Sequence, residues 1–515
     1  MDNAYLKQTV ESIFNSALAR TANQAALQDF HHILQQSYQR LHQPMRVAIV
    51  GLIKAGKSTL MNALLGEQVV ATGTVEATFN INWFKYAPDS SIIVHFKDKR
   101  SPETKSIAEL QALTLRAQEN QDYLLSIKYI EVRYPNEILK TFNLIDTPGL
   151  GSFYEADSDN TKDFLQLHGE ELTAITQKEA TKADAVMYLF SQSVSMTGKN
   201  IMETFAGSTL NGTTPINAIG VLTKVDSYWS DYDKPMEGAA RIVSRLSEHP
   251  QLKRLFYNIS PIYGLLASGA QTLTEEEWKI LQELTQVPPD FLESKLSDWE
   301  RFTEREYPEI SVSPAKRLLL WQKLGQYGVW LAYSLIRQGT NELATLKTEL
   351  LNSSGVSELK HLIVSHFGHR AFLIKLNTAL QEINSAYFQQ RHLLPETARE
   401  ILEDIVGEFE LIEANDSSFA EFKVLRDYYD QKLDFDEAET EQLLQITGEY
   451  GTDTNGRLGL PQSCSQQEKI AVALKRMQYW QERASDYLGT EPNSVAAADI
   501  LARSYEKILY KVKKT

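Results

Sequence analysis

Apolar residues in the first 42 positions recur at spacings near three and four: Leu6, Val10, Ile13 and Leu18, then Leu27, Phe30, Leu34 and Leu41. That is the period of helices that bury one face. Pro44 ends the stretch, and Met45–Val50 (MRVAIV) follows as a short continuous run of the kind buried in a parallel sheet. Similar runs then alternate with helical stretches as far as Ile262: Phe79–Tyr86, Ile92–Phe96, Ile127–Val132, Phe142–Ile145, Ala185–Phe190, Ile216–Leu222 and Phe256–Ile262. The alternation predicts an α/β domain, a mostly parallel sheet with helices on both faces. Residues 270–350 predict a mostly helical insertion around Pro288, Pro289 and Pro308, with Trp299, Trp321 and Trp330 as core anchors. From 370 onward the pattern is helical, broken at Gly451–Ser465, a Gly/Asn/Pro loop expected to be exposed. The organisation expected is N-terminal helices over 1–42 packing on a bundle, an α/β domain over 43–369 carrying the insertion, and a C-terminal helical bundle over 370–515.

Composition narrows the function classes. A length of 515 residues exceeds one ordinary domain, since a domain takes roughly 150 residues. The net charge of −15 makes a poor nucleic-acid binder, because phosphate neutralisation needs clustered Lys and Arg. No nucleic-acid partner is therefore expected, and an assembly role on ribosome or RNA is disfavoured. A lone cysteine, Cys464, excludes an internal disulfide framework and any multi-cysteine zinc site. The first residues, MDNAYLKQTVESIF, are not a signal peptide, and no run of apolar residues is long enough to span a bilayer. A cytoplasmic protein is expected, with peripheral contact as the form any membrane association would take.

The strongest chemical signal is Gly51-Leu52-Ile53-Lys54-Ala55-Gly56-Lys57-Ser58-Thr59, directly after the strand Met45–Val50 and before the helical run Leu60–Leu65. It fits G-x-x-x-x-G-K-[ST] in its proper strand–loop–helix setting. The loop amides wrap phosphates, the helix N-terminus adds a positive dipole end, Lys57 reaches the β/γ-phosphates, and the Ser58 hydroxyl is a Mg²⁺ ligand. Asp146-Thr147-Pro148-Gly149 after Phe142–Ile145 supplies an Asp for Mg²⁺ through water and a Gly149 amide for the γ-phosphate. Thr223-Lys224-Val225-Asp226 supplies a carboxylate for the two hydrogen bonds of the guanine edge and a lysine stem along the base. Adenine offers no such donor pair, and a buried unpaired carboxylate is costly. The expected ligands are therefore GTP/GDP and Mg²⁺. The switch threonine lies in Ala71–Thr78 and is either Thr78, favoured by its place before the strand, or Thr74. The guanine-cap loop falls on Ser260-Pro261-Ile262-Tyr263-Gly264, where backbone amides do the work.

These residues resemble the dynamin-like large GTPases, particularly the bacterial members. The resemblance rests on GLIKAGKSTLMNALLG (51–66), TGTVEAT (72–78), VRYPNEILKTFNLIDTPGL (132–150) and TKVD (223–226), and covers roughly residues 40–270. Ser354–Leu359 resembles the start of the closing helix of such G domains. The resemblance implies a GTPase with a helical bundle built from both chain ends, and itself as partner through G-domain dimerisation. It also implies hydrolysis coupled to movement of the bundle at a membrane surface. Two departures stand out. The region after 370 is short and shows no apolar hairpin, and Leu150 stands where many small GTPases keep a water-positioning Gln. Lys511, Lys513 and Lys514 read as a solvated helix end; a protein partner and an anionic membrane surface are the other candidate partners. In some dynamin-related GTPases the position of Lys54 carries an arginine finger in cis, and the resemblance gives Lys54 that catalytic role beside Lys57, Thr78 and Gly149. The alternative function is a GTP-dependent regulatory switch that recruits a protein partner, with slow turnover and no membrane remodelling.

Overall fold

The computed structural model describes residues 4–52, 54–70, 80–114, 121–147, 183–191, 215–229, 233–253, 255–486 and 491–514. The chain divides into two compact units, Pro44–Thr209 with Ala218–Val364, and Met1–Gln43 with Leu210–Asn217 and Ser365–Thr515.

The first unit is built on a sheet. Its described strands are β1 (Met45–Gly51), β2 (Asn82–Tyr86), β3 (Ser91–Phe96), β4 (Glu103–Lys105), β5 (Ile127–Tyr134), β6 (Phe142–Asp146), β7 (Ala185–Ser191), β8 (Ala218–Thr223) and β9 (Asn258–Pro261). They lie in the order β4-β3-β5-β2-β6-β1-β7-β8-β9. The pairings β1–β6, β1–β7, β2–β5, β7–β8 and β8–β9 are parallel, and the antiparallel ones are β2–β6, β3–β4 and β3–β5. The sheet is thus mostly parallel. The strands β6 and β8 are buried at every position, as parallel strands covered on both faces must be. In β3 burial alternates residue by residue, the signature of a strand with one face less covered. Helices over 264–352 form the expected insertion, the longest being Pro314–Arg337. Trp330 packs against the core, but Trp299 and Trp321 do not anchor it. They stack on each other at 4.1 Å, half-buried, and shield one another's faces instead.

The second unit is helical, and both chain ends contribute to it. The N-terminal helices α1 (Ala4–Thr21) and α2 (Gln28–His42) pack among the later helices His369–Gln390, Glu396–Asn415, Ser417–Tyr429, Glu437–Ile446, Gln466–Ser485 and Pro492–Lys514. The Phe14 ring meets Phe409 edge-on at 4.8 Å, and Arg20 pairs with Glu408 at 2.9 Å. The Lys375 ammonium caps the end of α2, donating to the carbonyls of Leu41 and Gln43, where the helix leaves acceptors unsatisfied.

Two expectations are corrected here. The stretch Gly451–Ser465 is not a free loop. It holds a helical turn, Thr454–Arg457, with Leu458 fully buried and the Arg457 guanidinium bonded to Glu421 at 2.6 Å. The run expected as a strand from Ile216 begins instead at Ala218, because Pro215–Asn217 is a 3₁₀ turn. The Ile216 carbonyl accepts from the His366 imidazole at 2.7 Å and so takes a partner outside the sheet. Among the described residues no helix is long and apolar enough to cross a membrane.

Candidate nucleotide site

The phosphate loop leaves β1 at Gly51 and enters α3 (Lys57–Leu65) through Gly56. Gly51 passes so close to β7 that a Cβ there would sit 2.7 Å from the Leu189 carbonyl oxygen. Gly56 takes φ 91°, a conformation that L side chains rarely adopt. Lys54 also has a positive φ, 62°, and its side chain is exposed. Ala55 and Lys57 are buried, and Gly56, Ser58 and Thr59 are half-buried.

The lysine and the aspartate meet at the centre of the sheet. The Lys57 ammonium donates to the carbonyls of Gly51 and Leu52 at 3.2 and 3.1 Å, holding the loop closed over itself. Burial lowers its pKa to about 8, against the pull of the Asp146 charge. Asp146, at the end of β6, is fully buried; burial raises its pKa to about 6, with Lys57 and the Asn82 amide acting the other way. Asn82 stands opposite Asp146 in the antiparallel β2–β6 register. Even so, neither Asp146 oxygen has a hydrogen-bond partner of good geometry among the described residues, and the Asn82 amide atoms are in the same position. A buried carboxylate without partners is costly. An acceptor pair of this kind fits the water shell of a Mg²⁺ ion, and Ser58 at the start of α3 is the hydroxyl that would join it. Among the described residues no cluster of three or more His, Cys, Asp or Glu offers another metal site.

Electrostatics gives a test of that fit. Between pH 3.8 and about 6 the folded protein keeps a proton on Asp146 that the unfolded chain has released. Its contribution to stability therefore falls as pH rises through that window, and at neutral pH the whole cost of the buried charge stands. Asp146→Asn is expected to raise the melting temperature of the nucleotide-free protein at pH 7 and to abolish the extra Mg²⁺-dependent stabilisation by GTP. Thermal melts with and without GTP and Mg²⁺ check both signs.

The base-side motif is tied to the phosphate loop. The Thr223 hydroxyl, at the end of β8, donates to the Ala55 carbonyl at 2.8 Å, with the Phe190 carbonyl as a second acceptor at 3.1 Å. Thr147 anchors the other motif by donating to the Ile49 carbonyl at 2.8 Å. Lys224 takes φ 54° and is exposed, and Asp226 sits half-buried in the 3₁₀ turn Val225–Tyr228. Burial raises the Asp226 pKa, so the carboxylate gains from any donor pair placed before it. Ser260 lies in β9, its hydroxyl donating to the Asn258 side chain. The structure thus brings Gly51, Lys54, Ala55, Gly56, Lys57, Ser58, Thr59 and Asp146 to one end of the sheet, with Thr223 bridging to Lys224 and Asp226. Thr74, Thr78, Gly149 and Leu150 lie outside the described residues. Asn82 and the anchoring role of Thr147 were not foreseen; Asn82 opens a strand that also carries Lys85, so its polarity does not stand out.

The Dynamin family profile matches residues 47–225, the span from β1 to the residue before Asp226. The isoniazid-induced protein IniC of Mycobacterium tuberculosis is 26% identical over 471 residues, 91% of each chain. The bacterial dynamin-like protein of Nostoc punctiforme is 28% identical over 160 residues, 28% of this chain and 23% of that one. A solved oligomerised bacterial dynamin pair overlays 95% of this chain and 88% of its own at 14% identity, with a TM-score of 0.32. Over residues 47–225 the chain is thus similar to the dynamin-like large GTPases, a family that binds guanine nucleotide and hydrolyses GTP.

Proposed function

We propose that this protein binds GTP with Mg²⁺ and hydrolyses it to GDP and phosphate. Its G domains pair in the nucleotide-bound state, and turnover moves the helical bundle at a membrane surface. The observation that carries the reading is the Lys57–Asp146 pair, a buried ammonium spent on loop carbonyls beside a buried carboxylate that has no hydrogen-bond partner of good geometry among the described residues. A triphosphate with its metal ion satisfies both groups at once. In the roles proposed, the loop amides and Lys57 hold the β/γ-phosphates, and Ser58 and Asp146 hold the metal's shell. Thr78 or Thr74 completes that shell, and Gly149 senses the γ-phosphate.

Membrane contact has its own support. The turn between the helices His369–Gln390 and Glu396–Asn415 exposes Leu393 at 83% and Phe388 at 59%. The Arg391 guanidinium lies over the Phe388 ring at 5.0 Å, and Leu393 and Phe388 present apolar surface beside that charge. Exposed apolar side chains next to a cation suit an anionic bilayer interface.

Specific GTPase activity measured against protein concentration tests the pairing. A steep rise supports it; a flat, low rate leaves the regulatory switch. Flotation with anionic liposomes, with and without a non-hydrolysable GTP analogue, tests the membrane step. For the base pocket, Asp226→Asn is expected to weaken GTP binding by about 1–3 kcal/mol and to admit xanthine nucleotide, whose extra carbonyl complements the new amide. Competition between GTP and XTP reads both changes, and unaltered GTP affinity would remove Asp226 from the pocket.

A further inference from the structure

The long helix Pro314–Arg337 is interrupted at Gly325, whose φ of 73° and ψ of 175° are not helical. The cause is a side chain from the cap loop. The Tyr263 hydroxyl donates to the Leu324 carbonyl at 2.8 Å and faces the Gly328 backbone N–H. Residues 324 and 328 are the pair that an unbroken helix would bond to each other. The hydroxyl is inserted in the ladder, one of the recognised causes of a kink. Gly325 makes room for it, since a Cβ there would lie 2.3 Å from the Tyr263 oxygen.

The cap loop is gripped on its other sides too. The Tyr263 N–H donates to the Ser354 carbonyl at 2.9 Å, and the Ile262 N–H donates to the Leu222 carbonyl at 2.8 Å. Gly264 touches the start of α3, where a Cβ would meet Thr59 at 3.4 Å. The kinked helix backs the other base-facing segment as well. Trp229, three residues beyond Asp226, packs on Tyr327 and Trp330 with ring centroids 5.7 and 6.2 Å apart, and Tyr263 packs on Tyr327 at 6.5 Å. The cap loop and the Asp226 turn therefore lean on one aromatic layer of one helix.

We infer that Tyr263 is a positioning residue for the guanine pocket. Through its place in the hydrogen-bond ladder at the Gly325 kink, the helix Pro314–Arg337 sets how tightly the base is held. The inference rests on the guanine-pocket reading above. Without the hydroxyl the ladder closes between Leu324 and Gly328, the helix straightens, and the cap loop loses its buttress. The loop amides face the 6-oxo edge of the base, which inosine shares with guanine; Asp226 faces the edge bearing the 2-amino group, which inosine lacks.

The test is Tyr263→Phe, with GDP and IDP affinities, GTP turnover and thermal melting measured on the full chain. We expect GDP and IDP to weaken by the same factor, roughly tenfold, the scale of one buried hydrogen bond. Turnover at saturating GTP should stay within about twofold, a change in KM against kcat. Tyr327→Leu, which thins the aromatic layer without touching the ladder, should weaken both nucleotides by about threefold, the lower end of the energy of an aromatic pair. A parent protein that fails to bind GDP overturns both the pocket and this inference. A parent that binds, with a Tyr263→Phe protein that melts lower yet binds GDP equally well, overturns this inference alone. A loss confined to GDP and absent for IDP would also overturn it, by placing the effect at Asp226.

Discussion

Lys57→Ala is expected to lower GTP and GDP affinity by two to three orders of magnitude, about 3–4 kcal/mol, with a folded protein remaining. The ammonium is buried, and among the described residues it donates to two carbonyls at more than 3 Å. Charge-assisted hydrogen bonds to phosphate oxygens are stronger than bonds to neutral carbonyls, so the lysine has more to gain from ligand than from the loop. Its pKa of about 8 adds a signature that a mutation alone does not give. Bound phosphates favour the protonated form, so the pKa rises on binding. Below pH 8 the ammonium is already present and affinity is flat with respect to this group. Above pH 8 binding must take up a proton, and affinity falls by up to about tenfold per pH unit. Titration calorimetry with GDP at pH 7, 8.5 and 9.5 in two buffers of different ionisation enthalpy reads both the affinity and the proton uptake. Lys57→Arg, whose charge does not titrate in this range, should flatten the alkaline limb whatever its affinity. A pH-independent GDP affinity in the parent would place the lysine outside the phosphate site.

The phosphate loop was legible in the sequence because its physics is local. Two glycines, a lysine and a hydroxyl must stand at fixed spacing between a strand and a helix, and nothing distant can replace them. The same holds for the strands with continuous apolar runs, β1, β6, β7 and β8, whose burial on both faces writes itself into composition. The edge strand β4, three polar residues long, has no such signature and was missed. So was the Tyr263–Leu324 bond, which joins residues 61 apart and exists only because Gly325 leaves the helical conformation. A glycine inside an amphipathic helix, such as Gly325 or Gly328 here, is tolerated in most proteins at a cost of about 1 kcal/mol, so its presence does not announce a kink. Leu458 shows the converse failure. Its Gly- and Pro-rich surroundings predicted a solvent loop, but the leucine is fully buried and the Arg457–Glu421 pair ties the segment to the helices around it.

Lys54→Ala is expected to leave GTP affinity within a few-fold and to slow hydrolysis by roughly 10²–10³, about 3–4 kcal/mol. A phosphate loop needs no cation at this position, and an exposed lysine in a turn is ordinarily a solvated one. Its backbone argues for more. Lys54 occupies φ 62°, the left-handed region that costs a non-glycine residue about 1–2 kcal/mol. A glycine would accept the same turn without that cost, and strain of this kind is concentrated at functional sites. In the proposed site, its place three residues before Lys57 would set it beside the bridging oxygens, where charge builds as the γ-phosphoryl leaves. Because Leu150 cannot orient water, the proposed function would leave much of the transition-state stabilisation to such a charge, aligned in the proposed pairing of two G domains. An ammonium delivers the charge without the bidentate fork of a guanidinium, so Lys54→Arg should equal or exceed the parent rate. In the proposed role the ammonium would also stand in for a bound monovalent ion, so turnover should be the same in potassium and sodium. Lys54→Gly separates charge from backbone: it removes the strain and the ammonium together. If charge is what matters, the Gly and Ala variants lose rate equally. A Gly variant that keeps the parent rate would assign the effect to loop geometry, and an Ala variant at the parent rate would return Lys54 to an ordinary solvated side chain.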